Sequence, residues 1–178
     1  SVSHEERPLA DMLERALRLI PGVEVLRHEN SLVARTQRGL PQRVVLAGHI
    51  DTVPIAENVP CVRGVNDQGE DTLFGCGTVD MKSGLAVYLA VFARLANDPA
   101  LAYDLTLVCY EGEEVAARFN GLGLIHGAHP DWLLGDVALL GEPSGAIIEA
   151  GCQGSIRLRV TAHGVRAHSA RSWLGKNA

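Results

Sequence analysis

The chain has 178 residues, 16 of them Lys or Arg against 21 Asp or Glu, for a formal net charge of −5; 47% are hydrophobic and 21% charged. That length can bury a sizeable core, while cations scattered along an acidic chain give no footprint for a phosphate backbone and argue against nucleic acid as a partner. No run reaches the roughly 18 apolar residues of a membrane span and no basic-then-apolar leader opens the sequence, so a soluble, cytoplasmic protein with no membrane partner is expected.

In chain order, Ser3-His4-Glu5-Glu6 has the form of a capping box, followed by apolar residues at helical spacing from Leu9 to Ile20. Pro21-Gly22 ends that helix. Val23-Glu24-Val25 and Leu32-Val33-Ala34 read as short extended pieces, and Arg43 to Gly48 as a central strand covered on both faces. Lys82 to Leu95 is apolar on most faces and free of proline, which predicts a buried helix after the turn at Gly75 to Gly77. Leu105 to Tyr110 and Asp136 to Gly141 are two further central-strand candidates. Strands alternating with helices predict an α/β three-layer sandwich with a mostly parallel central sheet. From Ser155 to Ala162 polar and apolar residues alternate, the mark of a strand in a sheet with one wet face. A new domain is therefore expected to begin there, dividing the chain into residues 1–150 and 151–178. Cys61, Cys76, Cys109 and Cys152 contain no CxxC pair and read as reduced, packed thiols.

Acidic or histidine clusters follow the apolar strands, and in open α/β sheets ligands bind beyond the carboxyl ends of strands. His49 and Asp51, two apart, share a face. A carboxylate beside a histidine fixes the tautomer and raises the basicity of a metal-ligating nitrogen, although His-x-Asp alone equally describes a surface pair. Gly75-Cys76-Gly77-Thr78-Val79-Asp80 delivers an acid where a dinucleotide loop would need its third glycine, which speaks against a nucleotide site. Glu111-Gly112-Glu113-Glu114 follows one strand and Gly141-Glu142-Pro143-Ser144 another. Either acidic run could by itself be a solvated loop. If the strand ends converge, Asp80, Glu114 and Glu142 meet near His49, and so many carboxylates need cations to stay ionised together. One histidine with several carboxylates suits zinc, with cobalt or manganese as alternatives. His126 and His129 read as surface residues.

The four strings from Leu46 to Pro54, Gly75 to Gly84, Glu113-Glu114 and Gly141 to Ser144 resemble, in order and spacing, the signatures of the M20 metallopeptidases. Ile148 to Gly154 and Gly164 to Trp173 resemble the actinobacterial succinyl-diaminopimelate desuccinylase branch of that family. The resemblance implies a two-zinc amidohydrolase that cleaves N-succinyl-LL-2,6-diaminopimelate to succinate and LL-2,6-diaminopimelate in lysine and diaminopimelate biosynthesis. Other members cleave acetylornithine, acyl-amino acids or peptides with the same centre, and a non-catalytic relative kept for binding is the reading from another class. The resemblance further implies that His49 and Glu142 hold one zinc, Glu114 helps hold the second and Asp80 bridges them. Asp51 would orient His49, Glu113 would be the general base, and His168 would stabilise the oxyanion in the partner subunit of a homodimer. Residues after 150 would open an α+β lid and dimerisation domain. A member of the family is about twice as long and takes its last zinc ligand, a histidine, from near its C-terminus, so the chain is expected to be a fragment. Arg157, Arg159, Arg166 and Arg171 are candidate partners for substrate carboxylates.

Overall fold

The computed structural model describes residues 1–151, 156 and 158–176. They divide into two units, residues 1–146 and 147–178.

The first unit is built on a five-stranded sheet. Helix α1 (Arg7–Arg18) precedes a hairpin of β1 (Val23–His28) and β2 (Ser31–Thr36), then β3 (Arg43–His49). A small outlying hairpin, β4 (Val62–Val65) with β5 (Asp71–Phe74), leads through an irregular turn, Thr78–Lys82, into α2 (Ser83–Leu95). After these come β6 (Asp104–Tyr110), α3 (Gly121–Ala128) and β7 (Val137–Leu140). The strand order is β1-β2-β6-β3-β7. β6, β3 and β7 run parallel, and β1 and β2 are antiparallel additions at one side.

Every residue of β6 is buried, as is the second half of β3, because both sheet faces are covered. On one face α1 and α2 pack Leu13, Leu17, Leu85 and Phe92 against Leu32, Leu46 and Leu107. On the other, Ile125 of α3 packs against Val33, Val45 and Val108. Layers of helix, sheet and helix result, the predicted sandwich. Phe92 alone accounts for about 3–5 kcal/mol, the usual cost of truncating a buried aromatic to alanine.

Several expectations are corrected. No capping box forms: the N-cap of α1 is Glu6, without a side-chain cap, and Pro8 sits in the first turn. The Ser3 hydroxyl is instead committed to Asp51. The helix after the glycine turn is buried along one face only, with Val87 and Val91 on the exposed side. β7 is an edge strand whose four residues are exposed. Its apolar composition foretells cover on both faces, and among the described residues it has only β3 beside it. Of the thiols, Cys109 is packed while Cys61 is exposed and Cys76 half-buried, all three free; Cys152 lies outside the described residues.

In the second unit the strand predicted at 155–162 is absent among the described residues, where the single pairing is a bridge between Val165 and Lys176. Ile156, Leu158 and Val160 are exposed. A strand is completed by a ladder with a neighbour, and none stands beside this stretch among those residues. Ser155, Arg157 and the stretch Cys152-Gln153-Gly154 lie outside the described residues.

Candidate metal centre

The site is assembled where the parallel strands end. β3 pairs in register with β6 so that His49 lies opposite Tyr110, and with β7 so that Ala47 lies opposite Leu140. The three strands therefore deliver His49, Glu111 to Glu114, and Glu142 to one edge of the sheet. His49 is fully buried. Its Nε2 lies 2.9 Å from Asp80 Oδ1, while Nδ1 lies 3.1 Å from the Asp51 carbonyl and 3.3 Å from its carboxylate Oδ1. The two ring nitrogens are thus divided between two acids, Asp51 behind and Asp80 in front.

Asp51, also fully buried, is a hub. Oδ1 accepts from the Glu113 N–H at 3.1 Å, and Oδ2 accepts from the Glu114 N–H at 3.1 Å and the Ser3 hydroxyl at 2.8 Å. Burial alone would raise its pKa, but the bonds from His49, Ser3 and the two backbone amides outweigh that and hold it well below the usual carboxylate range. The amides reach it because Gly112 turns the chain with φ +67°. A Cβ on Gly112 would lie 2.3 Å from the Phe119 carbonyl oxygen, so only glycine fits. Glu111 takes no part in the cluster. Both its oxygens accept from Asn30, at 2.8 Å each, which pins the β1–β2 turn.

Asp80 arrives on the irregular turn, just before a cis Asp80-Met81 peptide. Met81 is buried beneath His49 and its sulfur accepts the His49 N–H. Glu142 is set by a backbone contact: a Cβ on Gly84 would lie 2.1 Å from the Gly141 carbonyl oxygen, so α2 rests on the chain one residue before Glu142.

One ligand atom each from His49, Asp80 and Glu142 lie within 4.8 Å of one another, and the same is true of His49, Glu113 and Glu114. Five of the six residues expected at the centre from the first unit thus fall into two groups that share His49, with Asp51 directly behind it. The structure puts Glu113 as well as Glu114 in such a group. Partial burial raises the pKa of Glu142, with Asp80, Glu113 and Glu114 adding to the rise and His49 opposing it. Burial, then Asp80, raises that of Glu114. Burial opposes protonation of His49, but Asp51 and Asp80 prevail and lift its pKa to about 9. Such a set is short of positive charge, and divalent cations fit it chemically: an imidazole nitrogen with hard carboxylate oxygens is a zinc-type donor set.

Sequence reasoning missed Ser3 as a partner of Asp51 and the amides of Glu113 and Glu114 as its donors. Lys82, half-buried with Nζ 3.5 Å from the Asp51 carbonyl, was also missed; its place two residues after Asp80 was the available signal. His168 belongs to the second unit, is exposed, and accepts the Ala170 N–H on Nδ1 at 3.2 Å. Arg159, Arg166 and Arg171 are exposed there too. His126 is exposed, and His129 is half-buried with its ring 5.6 Å from that of His28. No helix among the described residues is long and apolar enough to cross a membrane.

The sequence signature of peptidase family M20/M25/M40 matches residues 45–167, from β3 to the segment before His168. The chain belongs to that family. Membership implies a divalent metal, for which the two groups around His49 are the candidate ligands. The chain is 62% identical over 181 residues to a Corynebacterium glutamicum protein named succinyl-diaminopimelate desuccinylase, an alignment covering 100% of this chain and 47% of the relative. It is 33% identical over 155 residues to a Gluconobacter oxydans protein of the same name, covering 83% of this chain and 40% of the relative. The chain spans about half the length of the curated relatives it matches. Among solved structures it resembles an M20 family metallo-carboxypeptidase from Sulfolobus solfataricus, with TM-score 0.58 and 16% identity over 75% of this chain and 32% of that one. That likeness confirms the α/β sandwich.

Proposed function

We propose that the protein of which these residues form part is a di-zinc amidohydrolase that cleaves N-succinyl-LL-2,6-diaminopimelate to succinate and LL-2,6-diaminopimelate, in lysine and diaminopimelate biosynthesis. The convergence of His49, Asp80, Glu113, Glu114 and Glu142 at one sheet edge carries the metal reading. The name of the 62% identical relative supports the substrate. His49 and Glu142 would hold one zinc, Glu114 the other, with Asp80 shared between them; cobalt and manganese are the alternative metals. When bound, the cations would activate water and polarise the amide carbonyl.

The chain's own residues do the remaining work. Asp51 keeps its charge on the rear nitrogen of His49, which fixes the ring and leaves Nε2 to face Asp80. Glu113, at the mouth of the cluster and exposed, would take the proton of the attacking water and return it to the departing amine. A cleft of about 290 Å³ beside Asp80 and Glu114, lined also by Thr52, Asn58 and Cys76, leaves room for substrate next to the metals. The Nδ1 of His168 accepts the Ala170 N–H, which leaves Nε2 as the nitrogen that would donate to an oxyanion. Residues 151–178 would open the lid and dimerisation domain of a cytoplasmic homodimer in which His168 serves the partner's site. The test is hydrolysis by the complete protein, supplied with zinc, of N-succinyl-LL-diaminopimelate against N-acetylornithine and dipeptides. The first should be the preferred substrate by kcat/KM; preference for either of the others would overturn the assignment while leaving the centre standing.

A further inference from the structure

We propose that Ser3 is a positioning residue of the metal centre, whose hydroxyl locks the Asp51 carboxylate in the orientation that presents His49. The inference rests on the reading of His49 as a metal ligand and is independent of the substrate.

The first residues of the chain run beside the segment that follows His49. The Ser1 hydroxyl donates to the Ile50 carbonyl at 2.7 Å and the Ser3 N–H donates to the Thr52 carbonyl at 3.2 Å. His4 then turns the chain away with φ 73° towards α1. This pairing sets the Ser3 side chain 2.8 Å from Asp51 Oδ2. The donors to Asp51 are shared evenly between its oxygens. Oδ1 has the Glu113 N–H and lies 3.3 Å from His49 Nδ1, and Oδ2 has the Glu114 N–H and the Ser3 hydroxyl.

Ser3 is the one side-chain hydroxyl on Asp51 among the described residues. Without it Oδ2 keeps a single backbone donor, and a fully buried carboxylate with an open acceptor position turns to recover a second bond. Any such turn moves Oδ1, the oxygen that faces the rear of the His49 ring. Ser3 acts through Asp51 on His49 and touches neither metal nor substrate. The contact also explains why a stretch with the form of a capping box caps nothing: its hydroxyl is committed 48 residues along the chain.

The test uses the complete protein with Ser3→Ala and Ser3→Thr. Ser3→Ala removes one oxygen and leaves the backbone pairing intact, so the fold should persist with a Tm lowered only by the loss of one hydrogen bond to a buried carboxylate. Zinc affinity, read by chelator competition, should weaken measurably but by less than the factor of about 10–100 typical of losing a group bonded directly to a metal ligand. The His49 ring nitrogen resonances of the metal-free protein should shift, and kcat should fall with KM held. Ser3→Thr should restore all three. Parent-like zinc affinity and unshifted resonances in Ser3→Ala overturn the proposal, and so does a loss that Ser3→Thr fails to recover. A parent protein that binds zinc tightly yet leaves N-succinyl-LL-diaminopimelate intact would sink the substrate assignment alone. A parent that binds no zinc would sink the metal reading and this proposal with it.

Discussion

Replacing Gly84 by alanine sets helix propensity directly against close packing. Gly84 lies in the first turn of α2, where alanine would ordinarily be favoured over glycine by up to about 1 kcal/mol. The structure predicts the opposite sign. The new Cβ would fall 2.1 Å from the carbonyl oxygen of Gly141 and 3.0 Å from its carbonyl carbon, backbone atoms that cannot rotate away. Gly141 is itself anchored by its N–H to the Ala47 carbonyl at 3.0 Å, so relief requires α2 to lift or the end of β7 to shift. Overpacking of this kind costs about 1–3 kcal/mol, enough to cancel the propensity gain and leave a net loss of stability. Glu142, the next residue, would move with the strand end, and a carboxylate displaced from its place in the ligand group weakens metal binding. Denaturant unfolding of the metal-free protein measures the first effect and zinc affinity the second. An alanine variant as stable as the parent or more so, with unchanged zinc affinity, would refute the argument that this backbone contact places Glu142.

Three other outcomes follow from the same geometry. Asp51→Asn should leave the fold in place but weaken zinc by about 10–100-fold, since it removes the charge behind His49 and offers an amide NH2 to donors already pointing there; chelator competition measures it. Because the pKa of His49 is lifted to about 9 in the metal-free protein, metal binding at pH 7 should expel about one proton from that ring, read by titration calorimetry in buffers of different ionisation enthalpy. For the same reason the metal-free protein gains stability from His49 that is fully present below the unfolded value of 6.5 and is lost as pH rises through about 9. Thermal melts of the parent against His49→Gln across that range should converge at the alkaline end; melts that diverge there would contradict the assignment.

The central sheet was legible because β3 and β6 carry apolar residues on both faces, a pattern that only a doubly covered strand sustains. The meeting of His49, Asp80, Glu113, Glu114 and Glu142 was legible for a related reason, since each follows directly on a strand or a glycine turn aimed at one edge. What stayed hidden depends on backbone geometry rather than residue type. The grip of Asp51 on the Glu113 and Glu114 amides needs the positive φ of Gly112, and the exclusion of Glu111 needs the Asn30 turn. Ser3 carried a local helix-start signal that a long-range partner overrode. The β4–β5 hairpin went unread although Asn66 to Gly69 marks its turn: Gly69 has φ +83°, and Asn66 accepts the N–H groups of Gln68 and Glu70. β7 misled because an apolar strand announces that its faces are covered and not what covers them.

The most direct measurement compares zinc content and single-turnover hydrolysis of N-succinyl-LL-diaminopimelate in the complete protein and in its Glu113→Gln variant. If the carboxylates converge to hold metal and Glu113 moves the proton, the variant should keep its zinc and lose turnover by about 10²–10⁴-fold. A variant that turns over at the parent rate would contradict the account.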